Sequence, residues 1–389
     1  MHSLIARAPV IVVVGVAVLA AGACAGNAAV PNAAVPVRPA AAAGTAVPLN
    51  CRAITPVSAS SVSGTTGWLL GLATPAGSRI VLCRTADGGQ HWFCVPAPPA
   101  PWPFRSSVSG PAVSTGPDAV SQIVFADQRD GWAFGPGLWA THDGGAHWHR
   151  VGTSGASVSK MAAMSGRVIA VFSPEDGTTF AAYTSPAAAD AWRPLPGVSG
   201  AGQAVGADLV VSGRTGYVVS SHGPLPGPPA VLLAGPAGGS ARWQRYPLPC
   251  PSSMEAAVTA ATGPGIIVAC AGIGFHPTPA RVYRSVSGGR SWQRLAGLVL
   301  EDSVGSVSVA PDGTILVSGL YSGVLMSRDG GQSWHPVPAV DDSDAVQGGG
   351  IVTAVMVTDQ LGFAVVTGDA FWLTHDGGRT WTAVTVSHH

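Results

Sequence analysis

Residues that could do acid–base chemistry are few in this chain of 389 residues. Charged residues make up 10% of it, against about 25% in an ordinary soluble domain, and its three glutamates are Glu175, Glu255 and Glu301. Glu255 is the most interesting, because we expect it to begin an inner strand. A glycoside hydrolase needs two carboxylates, such as Asp208 with Asp302. We predict no catalytic residue and keep Glu255 as the one candidate to test.

Three histidines, His142, His147 and His149, lie within eight residues, and such clusters can bind metal ions. Strand alternation places His147 and His149 on one face, and neither a nearby cysteine nor a helix supplies further ligands. The acidic segment 341–344 lacks the Asp-x-Asp-x-Asp-Gly order of calcium loops. We therefore predict no metal site and no cofactor.

The first 23 residues have the organisation of an export signal. One positive charge, Arg7, precedes the apolar residues 10–21, a stretch shorter than the roughly 20 residues of a membrane-spanning helix. Small residues then precede Cys24, as in the lipobox of bacterial lipoproteins. We predict a signal peptide over residues 1–23, lipidation of Cys24 on the extracytoplasmic face of the cell membrane, and an Ala/Pro-rich tether over residues 24–48. Ordinary signal peptidase cleavage, giving a secreted protein, is the alternative.

Export makes disulfides possible, and five cysteines follow Cys24. Cys250 and Cys270 bracket one repeat unit and are the best pair. Cys83 and Cys94 flank a turn motif and could bridge two antiparallel strands, which leaves Cys51 free or competing for one of them. The chain contains no Cys-x-x-Cys spacing, so we do not expect these cysteines to bind a metal ion.

The overall composition favours many short strands over helices. The chain has 52 glycines and 33 prolines, which are spread among short apolar runs and interrupt long helices. Its formal net charge is zero and its pI is near 7.2, so it offers no basic surface for a nucleic acid backbone. We expect an all-β body that does not bind nucleic acid.

An eight-residue pattern, Ser/Thr-x-Asp-Gly-Gly-x-x-Trp, recurs along the chain, and we call its copies the turn repeats. The clear copies are residues 85–92, 141–148, 285–292, 327–334 and 374–381, and worn copies end at Trp192 and Trp243. The recurring Asp and Trp positions in them are Asp87, Trp92, Asp143, Trp148, Trp292, Asp329, Trp334, Asp376 and Trp381, with Ser287 replacing Asp in the third clear copy. Successive tryptophans are 42 to 56 residues apart, which is the length of a four-stranded propeller blade.

Each turn repeat follows an apolar run that we predict as the innermost strand of a blade. The runs are residues 54–62, 119–126, 158–165, 203–212, 255–262, 304–310 and 351–357. Paired glycines permit positive φ angles, and Asp and Ser/Thr side chains accept backbone N–H groups, so each repeat joins the third strand to the fourth. We predict that residues 49–389 form one seven-bladed β-propeller of four-stranded antiparallel blades.

The turn pattern resembles the Asp-box, or BNR, repeat. Proteins with this repeat include sialidases, xyloglucan-degrading glycosidases, sortilin-type receptors and the photosystem II stability and assembly factor family. The amino-acid sequence of residues 130–148 is most similar to that of the last family. The resemblance implies that the repeat residues are structural and lie at the blade periphery. It also implies a non-catalytic binding or assembly scaffold, with an exo-sialidase-like or other glycoside hydrolase as the alternative.

Two segments are candidates for partner contact. The Pro-rich insertion 95–117 carries Trp102 and Phe104, and the loop 272–280 carries Phe275 and His276. Large aromatic side chains are costly to expose, so the insertion either packs across a propeller face or acts as a recognition arm. We expect a monomer that binds a protein or a cell-envelope component and meets the membrane through its lipid anchor.

Overall fold

The computed structural model is an all-β propeller of seven blades, as the sequence predicts. It describes residues 54–73, 79–105, 113–114, 116–164, 166–174, 179–201, 208–220, 230–251, 254–262, 265–272, 279–298, 300, 304–319, 323–337, 352–366 and 370–384. Nowhere in these ranges does a helix have the length and apolar character needed to cross a membrane. The predicted signal peptide, Cys24, the tether and Cys51 lie outside the described residues.

Each blade consists of four strands that are consecutive in the chain. Blades 1 to 3 comprise β1 Ile54–Ser61, β2 Gly67–Ala73, β3 Ile80–Thr85 and β4 Phe93–Val95; β7 Gln122–Phe125, β8 Gly131–Phe134, β9 Leu138–Thr141 and β10 His149–Arg150; and β11 Ser157–Met164, β12 Arg167–Ser173, β13 Thr179–Pro186 and β14 Arg193–Ala201. A short hairpin, β5 Phe104–Arg105 with β6 Val113–Ser114, lies between blades 1 and 2.

The remaining four blades follow the same order. They comprise β15 Asp208–Ser212, β16 Thr215–Ser220, β17 Val231–Pro236 and β18 Gln244–Pro247; β19 Met254–Thr262, β20 Gly265–Gly272, β21 Arg281–Ser285 and β22 Gln293–Arg294; β23 Val304–Val309, β24 Ile315–Gly319, β25 Val324–Ser327 and β26 His335–Pro336; and β27 Val352–Met356, β28 Gly362–Val366, β29 Ala370–Thr374 and β30 Thr382–Ala383. Each of the seven predicted inner runs contains most or all of the first strand of a blade.

The ring closes by packing between blades 7 and 1. Strand β1 contacts β28 and β29, and one apolar cluster combines Leu69 and Trp92 of blade 1 with Phe363 and Phe371 of blade 7. Nε2 of His375 in blade 7 also lies 2.9 Å from the carbonyl oxygen of Gly88 in blade 1. Among the described strands, no blade borrows a strand from the other end of the chain.

The core lies between neighbouring blades. Between blades 1 and 2, the rings of Trp68 and Phe125 stack with centroids 3.7 Å apart, and both side chains are fully buried. The indole N–H of Trp68 donates to the carbonyl oxygen of Gly144 in the blade 2 turn, at 3.1 Å. Aromatic pairs of this kind stabilise a core beyond the area that they bury, so the blades are joined chiefly by apolar contact.

The structure supports one predicted cysteine pair and contradicts the other. A disulfide joins Cys250 to Cys270, with Cα atoms 5.5 Å apart. Cys83 is a buried free thiol, and Cys94, although disulfide-bonded, is not bonded to Cys83. The two residues are direct partners across β3 and β4, but a sulfur forms only one disulfide, so the bond that Cys94 makes to another cysteine leaves Cys83 as a thiol. Burial raises the pKa of the Cys83 thiol to about 12, so this thiol is not reactive.

Candidate functional site

The turn repeats form closed hydrogen-bond networks between the third and fourth strands. In blade 2, the Thr141 hydroxyl donates to Asp143 Oδ1 at 2.9 Å and accepts the N–H of Gly145 at 2.9 Å. Asp143 Oδ1 accepts the N–H of His147 at 2.9 Å, and its Oδ2 lies 2.6 Å from the ring Nδ1 of His147. Gly144 and Gly145 have φ angles of +77° and +97°, which glycine adopts without strain.

The other clear turn repeats share this arrangement. In blades 1, 5, 6 and 7, the hydroxyl at the first position accepts the N–H of the second glycine, with Thr85, Ser285, Ser327 and Thr374 as acceptors at 2.9, 2.8, 2.8 and 2.8 Å. In blade 5, Ser287 stands in for Asp, and its hydroxyl accepts the N–H of Ser291 at 2.9 Å. Each network is complete within eight residues, so the turns are built to hold strands together.

Hydrogen bonds inside the turns keep their carboxylates ionised. The backbone N–H and the ring of His147 lower the pKa of Asp143 to about 2. Burial raises the pKa of Asp87 and of Asp376, but the hydrogen bonds of their turns outweigh it and bring both pKa values to about 2. A neighbouring serine hydroxyl holds the pKa of Asp329 well below its usual range. Such carboxylates accept hydrogen bonds and do not donate protons at neutral pH.

The repeat tryptophans of three blades reach back to the preceding blade. Their indole N–H groups donate to a carbonyl oxygen at, or just beyond, the end of that blade's fourth strand. The pairs are Trp148 with Pro96 at 2.9 Å, Trp292 with Pro247 at 3.3 Å, and Trp334 with Ala296 at 3.1 Å. Trp92 instead donates to Gly89 in its own turn, at 3.0 Å. The tryptophans therefore also link blades.

On the first strands, serine hydroxyls join one blade to the next. Each accepts a backbone N–H from the first strand of the following blade. The pairs are Ser58 with Ile123 at 3.2 Å, Ser60 with Phe125 at 2.9 Å, Ser306 with Ala354 at 3.0 Å, and Ser308 with Met356 at 3.1 Å. All four serines are buried, so their hydroxyls serve the ring of blades.

Lys160 and Asp208 form an ion pair between the first strands of blades 3 and 4. Lys160, the only lysine in the chain, lies on β11, and its Nζ is 3.6 Å from Asp208 Oδ1 on β15 of the next blade. The side chains are 15% and 13% exposed. Ser58, Lys160 and Ser306 each follow a β-bulge in the first strand, and each reaches the next blade. Lys160 therefore replaces a serine contact by an ion pair.

Of the three carboxylates considered for catalysis, only Asp208 has its side-chain contact described by the structure. Asp208 is paired with Lys160, and Asp302 lies outside the described residues. Glu255 is the second residue of β19, opposite Ala271. The geometry thus establishes an inner ion pair, and the catalytic candidacy of Glu255 stays a prediction.

The Pro-rich insertion is fixed to the propeller over its first half. Ala97 and Ala100 pack against the apolar cluster of blades 1 and 2, and Val120 donates its N–H to the carbonyl oxygen of Pro101 at 3.1 Å. Trp102 comes next and is half-buried, and Phe104 opens the short hairpin. The loop with Phe275 and His276 lies outside the described residues.

The three clustered histidines are not grouped as predicted, because His149 lies beside His142 and not beside His147. His147 contacts Asp143 in its own turn, whereas the rings of His142 and His149 lie side by side with centroids 5.5 Å apart. Asp190 of blade 3, which the sequence reasoning missed, joins them, with its Oδ2 2.6 Å from His149 Nε2. No sequence signal marks Asp190, because it lies in a worn repeat 41 residues from His149.

Comparisons with known proteins support the fold. No protein-family model matches the chain, and no curated protein is significantly similar to it. Among solved structures, "YCF48 bound to D1 peptide" is similar with a TM-score of 0.54 and 19% identity, over 83% of this chain and 93% of that chain. YCF48 from Cyanidioschyzon merolae has a TM-score of 0.56 and 14% identity, over 86% and 98%. At these identities the likeness establishes the propeller fold alone.

Propellers that act on glycans are also among the similar structures. The GH74 xyloglucanase from Xanthomonas campestris matches over 82% of this chain and 62% of that chain, with 13% identity and a TM-score of 0.32. A TM-score this low carries no argument about function.

Proposed function

We propose that this chain is a non-catalytic binding or assembly scaffold, a propeller with Asp-box turns tethered by a lipid on Cys24 to the extracytoplasmic face of the cell membrane. The observation that carries the proposal is the Lys160–Asp208 pair. The charge of this carboxylate is balanced by a lysine on the preceding blade, so the pair joins two blades and the carboxylate is not left free in the way that the paired acids of a hydrolase are.

The inner serines support the same function. Their hydroxyls already accept backbone N–H groups from the neighbouring blade, so they hold the ring together. Polar groups committed in this way give a rigid body, and binding falls to the loops that such a body presents. One YCF48 structure is bound to a D1 peptide, an example of this fold holding a polypeptide. We therefore propose a protein or cell-envelope component as the partner.

We place the partner contact at the insertion between blades 1 and 2. Its first half is anchored to the propeller, which lowers the entropic cost of presenting the aromatic residue beyond Pro101. Trp102 is half-buried there and offers an aromatic ring of the kind that dominates binding surfaces.

Affinity purification of the full-length chain from native membranes tests the proposed partner contact. A specific partner should co-purify with the wild type and be lost with Trp102→Ala, because that change removes the aromatic anchor. Val286→Ala is the matched control, since Val286 is 67% exposed on the blade 5 turn, and it should retain the partner. Loss of the partner with both variants, or with neither, would contradict the assigned surface.

Two further measurements separate the other parts of the proposal. Cys24→Ala should move the chain from the membrane fraction to the soluble fraction, and unchanged membrane retention would contradict the lipid anchor. Purified wild type should not hydrolyse sialosides or other glycans. Clear turnover that is abolished by Glu255→Gln would instead establish the glycoside hydrolase alternative.

A further inference from the structure

Two histidines and an aspartate converge where the outer turns of blades 2 and 3 meet. His142 is the second residue of the blade 2 turn repeat, His149 directly follows that repeat, and Asp190 comes from the worn repeat of blade 3. One potential ligand atom from each lies within 4.8 Å of the other two. Nε2 of His142 is 3.5 Å from Asp190 Oδ2, and Nε2 of His149 is 2.6 Å from the same oxygen.

The groups around this cluster hold its side chains in position. Asp130, whose side chain is 11% exposed, places Oδ1 2.8 Å from the other ring nitrogen of His142, Nδ1. The indole N–H of Trp132 points at the remaining oxygen of Asp190, Oδ1, at 3.4 Å. Histidines that bind metals commonly donate their second N–H to a carboxylate, which fixes the ring and leaves the other nitrogen free to coordinate.

The arrangement of the three side chains suits a cation at this point. When His142 donates its Nδ1–H to Asp130, its Nε2 carries a lone pair that faces an oxygen of Asp190. A hydrogen bond joins only two of these groups, whereas His149 faces the same Asp190 oxygen as a third partner. A divalent metal ion accepts all three ligands at once and offsets the two aspartate charges.

We propose that His142, His149 and Asp190 form a binding site for a divalent transition metal of the Zn²⁺ class, clamping blade 2 to blade 3. Imidazole nitrogen and carboxylate oxygen are ordinary zinc ligands at about 2.0–2.2 Å, which puts ligand atoms of a tetrahedral site roughly 3.4 Å apart. The 3.5 Å separation of His142 from Asp190 already fits. His149, which is 53% exposed, needs to withdraw by about 1 Å.

Partial exposure of the three side chains leaves room for water to complete the coordination. The His142, His149 and Asp190 side chains are 32%, 53% and 19% exposed, so the cation would lie at the rim of the propeller with an open approach. The site shares no residue with the proposed partner surface.

Calorimetric titration of the full-length, untagged chain with Zn²⁺ tests this site. We expect one Zn²⁺ per chain, and at least a tenfold loss of affinity in both His149→Ala and Asp190→Asn, because each variant removes one ligand. Asp130→Asn should weaken affinity about 10- to 100-fold through the orientation of His142. His147→Ala is the matched control: this residue is two positions from His149 and outside the cluster, and its loss should leave the affinity unchanged.

Thermal unfolding tests zinc binding even if a variant is less stable than the wild type. Zn²⁺ should raise the melting temperature of the wild type and of His147→Ala, and should raise that of His149→Ala much less, whatever the metal-free values are. X-ray absorption of the zinc complex should show nitrogen and oxygen neighbours and no sulfur. The absence of stoichiometric Zn²⁺ binding by the folded wild type, or equal affinity in the wild type and both ligand variants, would overturn the proposal.

Discussion

The outer turns and the first strands use polar side chains in opposite ways. Within a turn repeat, the hydrogen bonds join residues two to four positions apart, as Thr141 and Asp143 do. On the first strands, Ser60 meets its partner 65 residues away and Ser306 meets its partner 48 residues away. The hydroxyls and carboxylates of the turn repeats therefore stabilise single blades, whereas the polar groups of the first strands fix how neighbouring blades are oriented.

This difference predicts whether a substitution should loosen one blade or two. A broken turn should loosen one blade, because its network ends within eight residues. A broken inner contact leaves a buried polar group without its partner and disturbs two blades together. The Lys160–Asp208 pair is the strongest case, since both partners are charged and largely buried.

Lys160→Ala should cause the largest loss of stability, greater than that of any change in an outer turn. It leaves Asp208 charged in a mostly buried position, and removing one partner of such a pair should lower the free energy of unfolding by about 2–4 kcal/mol. Urea unfolding followed by tryptophan fluorescence measures the change.

The double variant Lys160→Met with Asp208→Leu is the matched control. It replaces both charges by apolar groups and should recover most of the lost stability, because no buried charge is left unpaired. If Lys160→Ala unfolds like the wild type, or if the double variant is less stable than the single one, the pair does not have the inner linking role assigned to it.

Asp143→Asn should have a smaller effect that depends on pH. The folded-state pKa of Asp143 is about 2, below the unfolded value of about 3.9, so its contribution is present above pH 4 and lost as pH falls towards 2. Because the Asp143 side chain is 39% exposed, solvent screening reduces the contribution to about 0.5–1 kcal/mol.

Melting temperatures of the wild type and of Asp143→Asn at pH 7 and pH 3 measure this contribution. The variant should be less stable at pH 7, and the gap should narrow at pH 3, where the wild-type carboxylate begins to lose its advantage. A constant difference at both values would show that the charge of Asp143 does not stabilise the turn.

The sequence predicts the blades well because the turn chemistry is local. The paired glycines, the Ser/Thr hydroxyl and the Asp all act within one repeat, so their spacing alone indicates a hairpin and its neighbours. Trp92 and the equivalent tryptophans then give the blade length.

Contacts between blades could not be predicted in the same way. Whether Lys160 meets Asp208, or His149 meets Asp190, depends on the rotation of one blade against the next, which no local pattern encodes. The Cys83 prediction was wrong for a related reason. Cys83 and Cys94 lie opposite each other in register, but Cys94 is bonded to a different cysteine, a pairing that no local pattern encodes.

Ser287→Asp should have the smallest effect, and the opposite sign. In blade 7, Asp376 Oδ1 accepts the N–H groups of Arg379 and Thr380 at 2.9 Å each, and Oδ2 accepts the Thr380 hydroxyl at 2.6 Å. Blade 5 presents Arg290 and Ser291 at the corresponding positions. Aspartate at 287 can therefore make one more hydrogen bond than serine and should raise the free energy of unfolding by about 0.5 kcal/mol.

The reverse change, Asp376→Ser, is the matched control and should lower the free energy of unfolding by a similar amount. In both turns an arginine also donates to the carbonyl oxygen of the exchanged residue, at 3.1 Å in blade 5 and 2.8 Å in blade 7, so the surroundings are comparable. Opposite shifts of similar size would mean that a turn works independently of the blade that carries it. A loss of stability in both variants would mean that each turn is matched to its own blade, and the contrast between local outer turns and linked inner strands would then weaken.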